Sequence, residues 1–202
     1  MKRRVGILGG TFNPPHLGHL YAAQTVREAL TLDEVWLVPT QTPPHKPLPP
    51  GSATAQERLE MVELAVADLP GLKACGIELT LPPPSYTSRT ITELVKQHPD
   101  TDFWWIVGAD MLMTLHSWVA PDVIFANCRI AAMAREEDQL NTVHEHAEYL
   151  RRHWNARIDV VETPPMPLSS TQVRDQMQQG AGNQGLPAQV AAYIEEKGLY
   201  RL

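Results

Sequence analysis

The chain has 202 residues, 43% of them hydrophobic and 20% charged, which excludes a disordered chain, collagen and a coiled coil. Its 17 Lys+Arg against 23 Asp+Glu leave a net charge of −6, so no broad basic footprint for nucleic acid or an anionic membrane is expected. Any anion it binds needs a local positive pocket.

In chain order, Lys2, Arg3 and Arg4 precede an apolar run too short for a signal peptide, which ends at Gly9-Gly10 and reads as a strand over 4–8. Helical spacing of Leu17, Leu20, Tyr21, Ala23 and Val26 predicts a helix over 17–30, and a strand follows over 34–38. The segment from Thr42 to Gly51 holds five prolines and reads as a stiff loop. A helix over 56–69 and a strand over 73–79 come next, then the breaker Pro82-Pro83-Pro84. A helix restarts near Thr87, with Thr90 and Glu93 in T-x-x-E spacing. Phe103 to Val107 is bulky and apolar on both faces, as a central strand covered on two sides would be, and Trp36, Trp104 and Trp105 read as core. Strands over 129–133 and 158–161 flank a helix over 139–153, and the tail from Ser169 reads as helical with one glycine-rich break.

Strands alternating with helices predict an α/β fold, a parallel sheet with helices on both faces. One domain over 1–202 is expected, its segment 169–202 completing the site. Cys75 and Cys128 form no C-x-x-C pair, and no apolar run nears the ~18–20 residues of a membrane span, so a cytoplasmic protein is expected.

The first strand runs into Gly9-Gly10-Thr11-Phe12-Asn13-Pro14-Pro15-His16-Leu17-Gly18-His19. Ligands of α/β sheets bind off the carboxyl ends of strands, where helix N-termini offer N–H groups to anions. Glycines let the backbone approach a phosphate, and His16 and His19, three apart, share one helical face. A tight turn with two surface histidines, or a zinc pair, are the alternatives for these residues alone. The stretch as a whole resembles the H-x-G-H motif of the nucleotidyltransferase superfamily, in the G-G-T-F-[DN]-P-x-H-x-G-H form of nicotinate and nicotinamide mononucleotide adenylyltransferases. Asn13 stands where that form more commonly has aspartate.

Ser169-Ser170-Thr171-Gln172-Val173-Arg174 has capping-box spacing at a helix start. It is similar to the family's S-S-T-x-[IV]-R element, whose hydroxyls, N–H groups and arginine bind triphosphate. Pro43-Pro44-His45-Lys46 resembles the family's mobile loop, and Gly108-Ala109-Asp110 its ribose-binding G-x-D, although Asp110 could equally cap a helix. Ser85-Tyr86-Thr87 and Trp118 resemble the nicotinate pocket, where a pyridinium ring over an indole gains cation–π attraction. Arg135 follows the fifth strand, as an arginine does in some members.

The resemblance implies transfer of AMP from ATP to nicotinate mononucleotide, with His16, His19, Lys46 and Arg174 as catalytic residues. It places Gly9, Gly10, Thr11, Phe12, Gly18, Gly108, Asp110, Ser169, Ser170 and Thr171 on ATP. Asn13, Ser85, Tyr86, Thr87, Trp118 and Arg135 fall to the mononucleotide. Mg²⁺ is expected on phosphates and water, with no metal held by the protein alone. A nucleotide sensor without chemistry and a fragment of a class I aminoacyl-tRNA synthetase are competing readings. The stretch from Gly180 to Gly185 spells G-x-G-x-x-G but follows a helix instead of a strand, so it is read as a flexible loop. His144 and His146, two apart on a helix, do not share a face and are not read as ligands.

Overall fold

The computed structural model describes residues 2–44, 47–134, 137–164, 167–180 and 183–200. Six strands form one sheet: β1 (Arg3–Gly10), β2 (Glu34–Pro39), β3 (Leu72–Ala74), β4 (Thr101–Gly108), β5 (Arg129–Ala134) and β6 (Ile158–Glu162). Every pairing is parallel and the order is β3-β2-β1-β4-β5-β6. The order reverses direction between β1 and β4, the point of a doubly wound sheet where a crevice opens.

Side chains alternate between two cores, as a period of two requires. In β4, Phe103, Trp105 and Val107 face one core while Trp104 and Ile106 face the other. Trp36 and Val38 likewise oppose Val35 and Leu37 in β2. Helices α1 (Leu17–Ala29), α2 (Ala55–Val66), α7 (Ser170–Gln178) and α8 (Ala188–Lys197) cover the first face through Val26, Val62, Val173 and Ile194. The second face is covered by α3 (Thr87–Gln97), α4 (Ala109–Thr114), α5 (Pro121–Asn127) and α6 (Glu137–Trp154) through Leu94, Leu112, Ile124 and Leu150. The predicted parallel sheet with helices on both faces is therefore the fold. Trp36 and Trp104 are core, and each Nε1–H finds a carboxylate at 2.8 Å, on Glu34 and Asp159.

One local expectation is corrected. The strand predicted over 73–79 ends at Ala74, and Ile77–Thr80 forms a 3-10 turn. Gly76 sits where a Cβ would come within 2.7 Å of Leu59, and beyond it the chain turns to bury Glu78. The helix expected to restart near Thr87 does begin there, and the buried Thr90 hydroxyl donates to Glu78 Oε1 at 2.8 Å.

Candidate active site

Strand β1 delivers the chain to the β1–β4 reversal, and a short loop over 11–16 carries it into α1. His16 is the N-cap of that helix and His19 its third residue, so one turn brings both rings to the same side. The imidazoles stack with centroids 3.6 Å apart. The His16 backbone N–H donates to His19 Nδ1 at 3.2 Å, which leaves the His19 proton on Nε2, facing outward from the cap as a donor. Phe12 is buried beneath them, edge-on to His19 at 4.8 Å, with φ of 49°. That left-handed conformation is strained for a bulky residue and is held by its packing.

Burial lowers the His16 pKa from 6.5 to about 4, and it lowers His19 further below its ordinary range, with the His16 ring adding to the effect. Both rings are therefore neutral at pH 7 in the free protein. A neutral imidazole still donates one N–H, and a polyanion placed against it raises its proton affinity.

Two adjoining pockets open here and share Leu8 and Met133 as a common wall. The first, about 310 Å³, is lined by His16, Gly18, His19, Thr163, Ser169 and Ser170. It joins both predicted motifs although they lie some 150 residues apart. The second, about 380 Å³, is lined by Ser85, Tyr86, Thr87 and Trp118, with Trp105 and Glu78 behind them. Gly9, Gly10, Thr11 and Gly108 also line this second pocket. The reason is register: the carboxyl ends of β1 and β4 open toward the segment that carries Ser85.

The start of α7 is tied to the loop before α1. Ser169 caps α7 by accepting from the Gln172 N–H at 3.2 Å, and Ser170 Oγ donates to the Pro14 carbonyl at 3.0 Å. Arg174 Nη1 donates to the Asn13 carbonyl at 2.6 Å and Nη2 reaches Thr171 Oγ1 at 3.2 Å. The Arg174 side chain also borders a third cavity with Ser52 and Tyr200. It is thus adjacent to the imidazole pocket and partly engaged by the chain itself.

Several predicted contacts are corrected by geometry. Asn13 is 3% exposed, donates to Ser52 Oγ and accepts from Tyr200 Oη, each at 2.8 Å, so its side chain is used within the protein. An amide serves there because it donates and accepts at once, which a carboxylate does not. Phe12 packs behind His19 and lines neither pocket. Asp110 is exposed in the first turn of α4, and Gly108 is the N-cap. Lys46 and Arg135 lie outside the described residues. Of the G-x-G-x-x-G stretch, Gly185 (φ 89°) is a turn whose carbonyl accepts the Leu17 N–H at 2.8 Å, and Gly180 (φ 67°) follows α7.

Sequence reasoning missed Arg58, Glu78 and Tyr200. Arg58 is fully buried among Met61, Val62 and Ala65, and a charged residue at i of an i, i+3, i+4, i+7 apolar face was the legible signal. Among the described residues no three His, Cys, Asp or Glu side chains gather as a metal cage, so a cation here would lean on ligand oxygens. No helix among them is long and apolar enough to cross a membrane.

Residues 7–176 match the cytidylyltransferase-like family. The chain is 38% identical over 202 residues to the probable nicotinate-nucleotide adenylyltransferase of Synechococcus sp. (strain JA-3-3Ab), covering 98% of this chain and 95% of that protein. It is 34% identical over 209 residues to a Shewanella woodyi protein of the same description, covering 98% and 99%. Its fold is similar to that of Plasmodium falciparum nicotinic acid mononucleotide adenylyltransferase complexed with NaAD, with a TM-score of 0.76 at 14% identity over 98% of this chain and 97% of that one.

Proposed function

The chain belongs to the cytidylyltransferase-like family, and from that membership we propose that it joins the AMP moiety of ATP to nicotinate mononucleotide, releasing pyrophosphate, in NAD biosynthesis. The observation that carries the reading is the first pocket, where His16, His19, Ser169 and Ser170 converge beside a second pocket walled by Tyr86, Thr87 and Trp118. One cleft at the β1–β4 reversal thus offers an anion site and an aromatic site side by side.

In this reading a phosphate oxygen of the mononucleotide attacks the α-phosphorus of ATP. The bond from that phosphorus to the bridging oxygen of the β-phosphate breaks, and pyrophosphate leaves with the electron pair. A phosphate monoester has a second pKa near 6, so at neutral pH it is already largely ionised and needs no general base. The protein's work is in-line positioning and stabilisation of charge on the leaving group. His19 donates its Nε2–H, the His16 ring stacks on it, and the starts of α1 and α7 add backbone N–H donors. Arg174, held on the Asn13 carbonyl of this loop, would exchange that carbonyl for phosphate.

Lys46 completes the cation set from the proline-rich loop, while Gly9, Gly10, Thr11 and Gly108 shape the floor between the substrates. Trp118 stacks on the pyridinium, and backbone N–H groups of 86–87 meet its carboxylate. A Mg²⁺ ion carried by phosphate oxygens and water supplies further neutralisation of the leaving pyrophosphate. Residues 1–202 act as one nucleotidyltransferase domain, in which 169–200 closes the phosphate side. The free thiols Cys75 and Cys128 suit the cytoplasm, where ATP is at hand.

Purified protein with ATP, Mg²⁺ and nicotinate mononucleotide should release pyrophosphate, with a higher kcat/KM than for the nicotinamide mononucleotide. Absence of pyrophosphate with either mononucleotide overturns the assignment, and a reversed preference overturns the substrate.

A further inference from the structure

We propose that Arg58 is a positioning residue that holds the two substrate pockets at reacting distance, an inference that rests on the adenylyl-transfer reading above. Its guanidinium is fully buried, with Nε unpartnered and both terminal nitrogens committed to backbone carbonyls. Nη1 donates to the Thr11 carbonyl at 2.7 Å and Nη2 to the Gln41 carbonyl at 3.2 Å. The first acceptor lies at the start of the loop that runs to His16, and the second lies beside the segment that holds Ser85.

Thr11 lies in the loop that mounts the imidazole pair. A trans peptide directs its C=O and N–H oppositely, so holding the Thr11 oxygen against Arg58 fixes the Phe12 N–H toward the other side and supports the left-handed Phe12 that backs His19. Gln41 leaves β2 toward the second pocket. The Gln41 and Thr42 N–H groups both donate to Ser85 Oγ, at 3.0 and 3.4 Å, and the Ser85 N–H returns to the Thr42 carbonyl at 3.0 Å. Nearby, the buried Glu78 carboxylate accepts from Thr90 on α3 through Oε1.

One guanidinium therefore links the phosphate loop to the segment that begins Ser85-Tyr86-Thr87 through a chain of named hydrogen bonds. Glu78 and Tyr200 are the titratable groups whose fields reach it. A forked, rigid donor suits the task, because a lysine reaches one carbonyl but does not span two. In-line transfer requires reacting atoms roughly 3–3.5 Å apart, and a misplacement of about 1 Å costs on the order of 100-fold in rate. Arg58 touches no substrate in this scheme and acts through the backbone it holds.

The test uses the full chain with Arg58→Lys, which keeps the charge, and Arg58→Ala, with folding checked by circular dichroism and melting. Affinities for a non-hydrolysable ATP analogue alone and for nicotinate mononucleotide alone should change less than about 3-fold, while kcat falls on the order of 30- to 100-fold. Millimolar guanidinium ion should restore part of the Arg58→Ala turnover. Unchanged kcat in folded variants overturns the proposal, as does a loss confined to the affinity of one substrate. If neither variant folds, Arg58→Gln, which keeps a donor but not the two-pronged reach, carries the same criteria. A wild-type chain that makes no pyrophosphate removes the transfer reading and this inference with it.

Discussion

At the scale of residues, the site is governed by two imidazoles kept neutral by burial and by each other. His19 has its Nδ1 occupied by the His16 N–H, so its one outward proton is on Nε2 and is available where charge develops. His19→Ala should lower kcat by roughly 100-fold or more while KM for ATP moves only a few-fold, as steady-state kinetics would read. Equal kcat would remove His19 from the chemistry. The same burial makes stability depend on pH. The folded pKa of His16, about 4, lies below its ordinary 6.5, so between those values the unfolded chain binds a proton that the folded one refuses. Its contribution is complete above about pH 6.5 and is lost as pH falls toward 4, by about 3 kcal/mol. His16→Gln should flatten the decline of Tm across that window relative to the parent protein, and parallel curves would refute the coupling.

At the scale of elements, α2 shows how a short signal and a tertiary demand meet in one helix. Thr54 accepts from the Glu57 N–H at 3.2 Å while the Glu57 carboxylate takes the Thr54 N–H at 2.7 Å, a reciprocal cap. Thr54→Ala should cost about 1 kcal/mol, seen as a Tm lower by roughly 2–4 °C in a protein of this size. A larger loss would mean that Thr54 supports Arg58, four residues on, as well as the helix. The Lys73–Leu79 segment illustrates the opposite case. Its apolar content suits a strand, yet β2 offers it only Val35 to Leu37 as partners, and burial of Glu78 draws the chain into a 3-10 turn.

At the scale of the molecule, α7 and α8 are both wall and cap. Val173, Val190, Ile194 and Tyr200 belong to the core on one sheet face, and Ser169 and Ser170 line the imidazole pocket. A chain ending at Leu168 should lose its cooperative melting transition near the parent Tm and all pyrophosphate release, measured by calorimetry and the coupled assay. A shortened chain that melts normally would show that the tail is separable from the core.

The amino-acid order alone determined the class and much of the site. The unbroken apolar run from Phe103 to Val107, helical spacing in Leu17 to Val26 and the two motifs at 9–19 and 169–174 are local patterns, set by bond geometry within a few residues. Only the tertiary structure decided what distance and burial govern: which pocket Gly9, Gly10 and Thr11 face, that Asn13 serves Ser52 and Tyr200, that His16 and His19 are uncharged, and that a buried Arg58 ties Thr11 to Gln41. Such contacts join residues far apart along the chain, and solvent exclusion and register arise only when the sheet and both helical layers have closed around them.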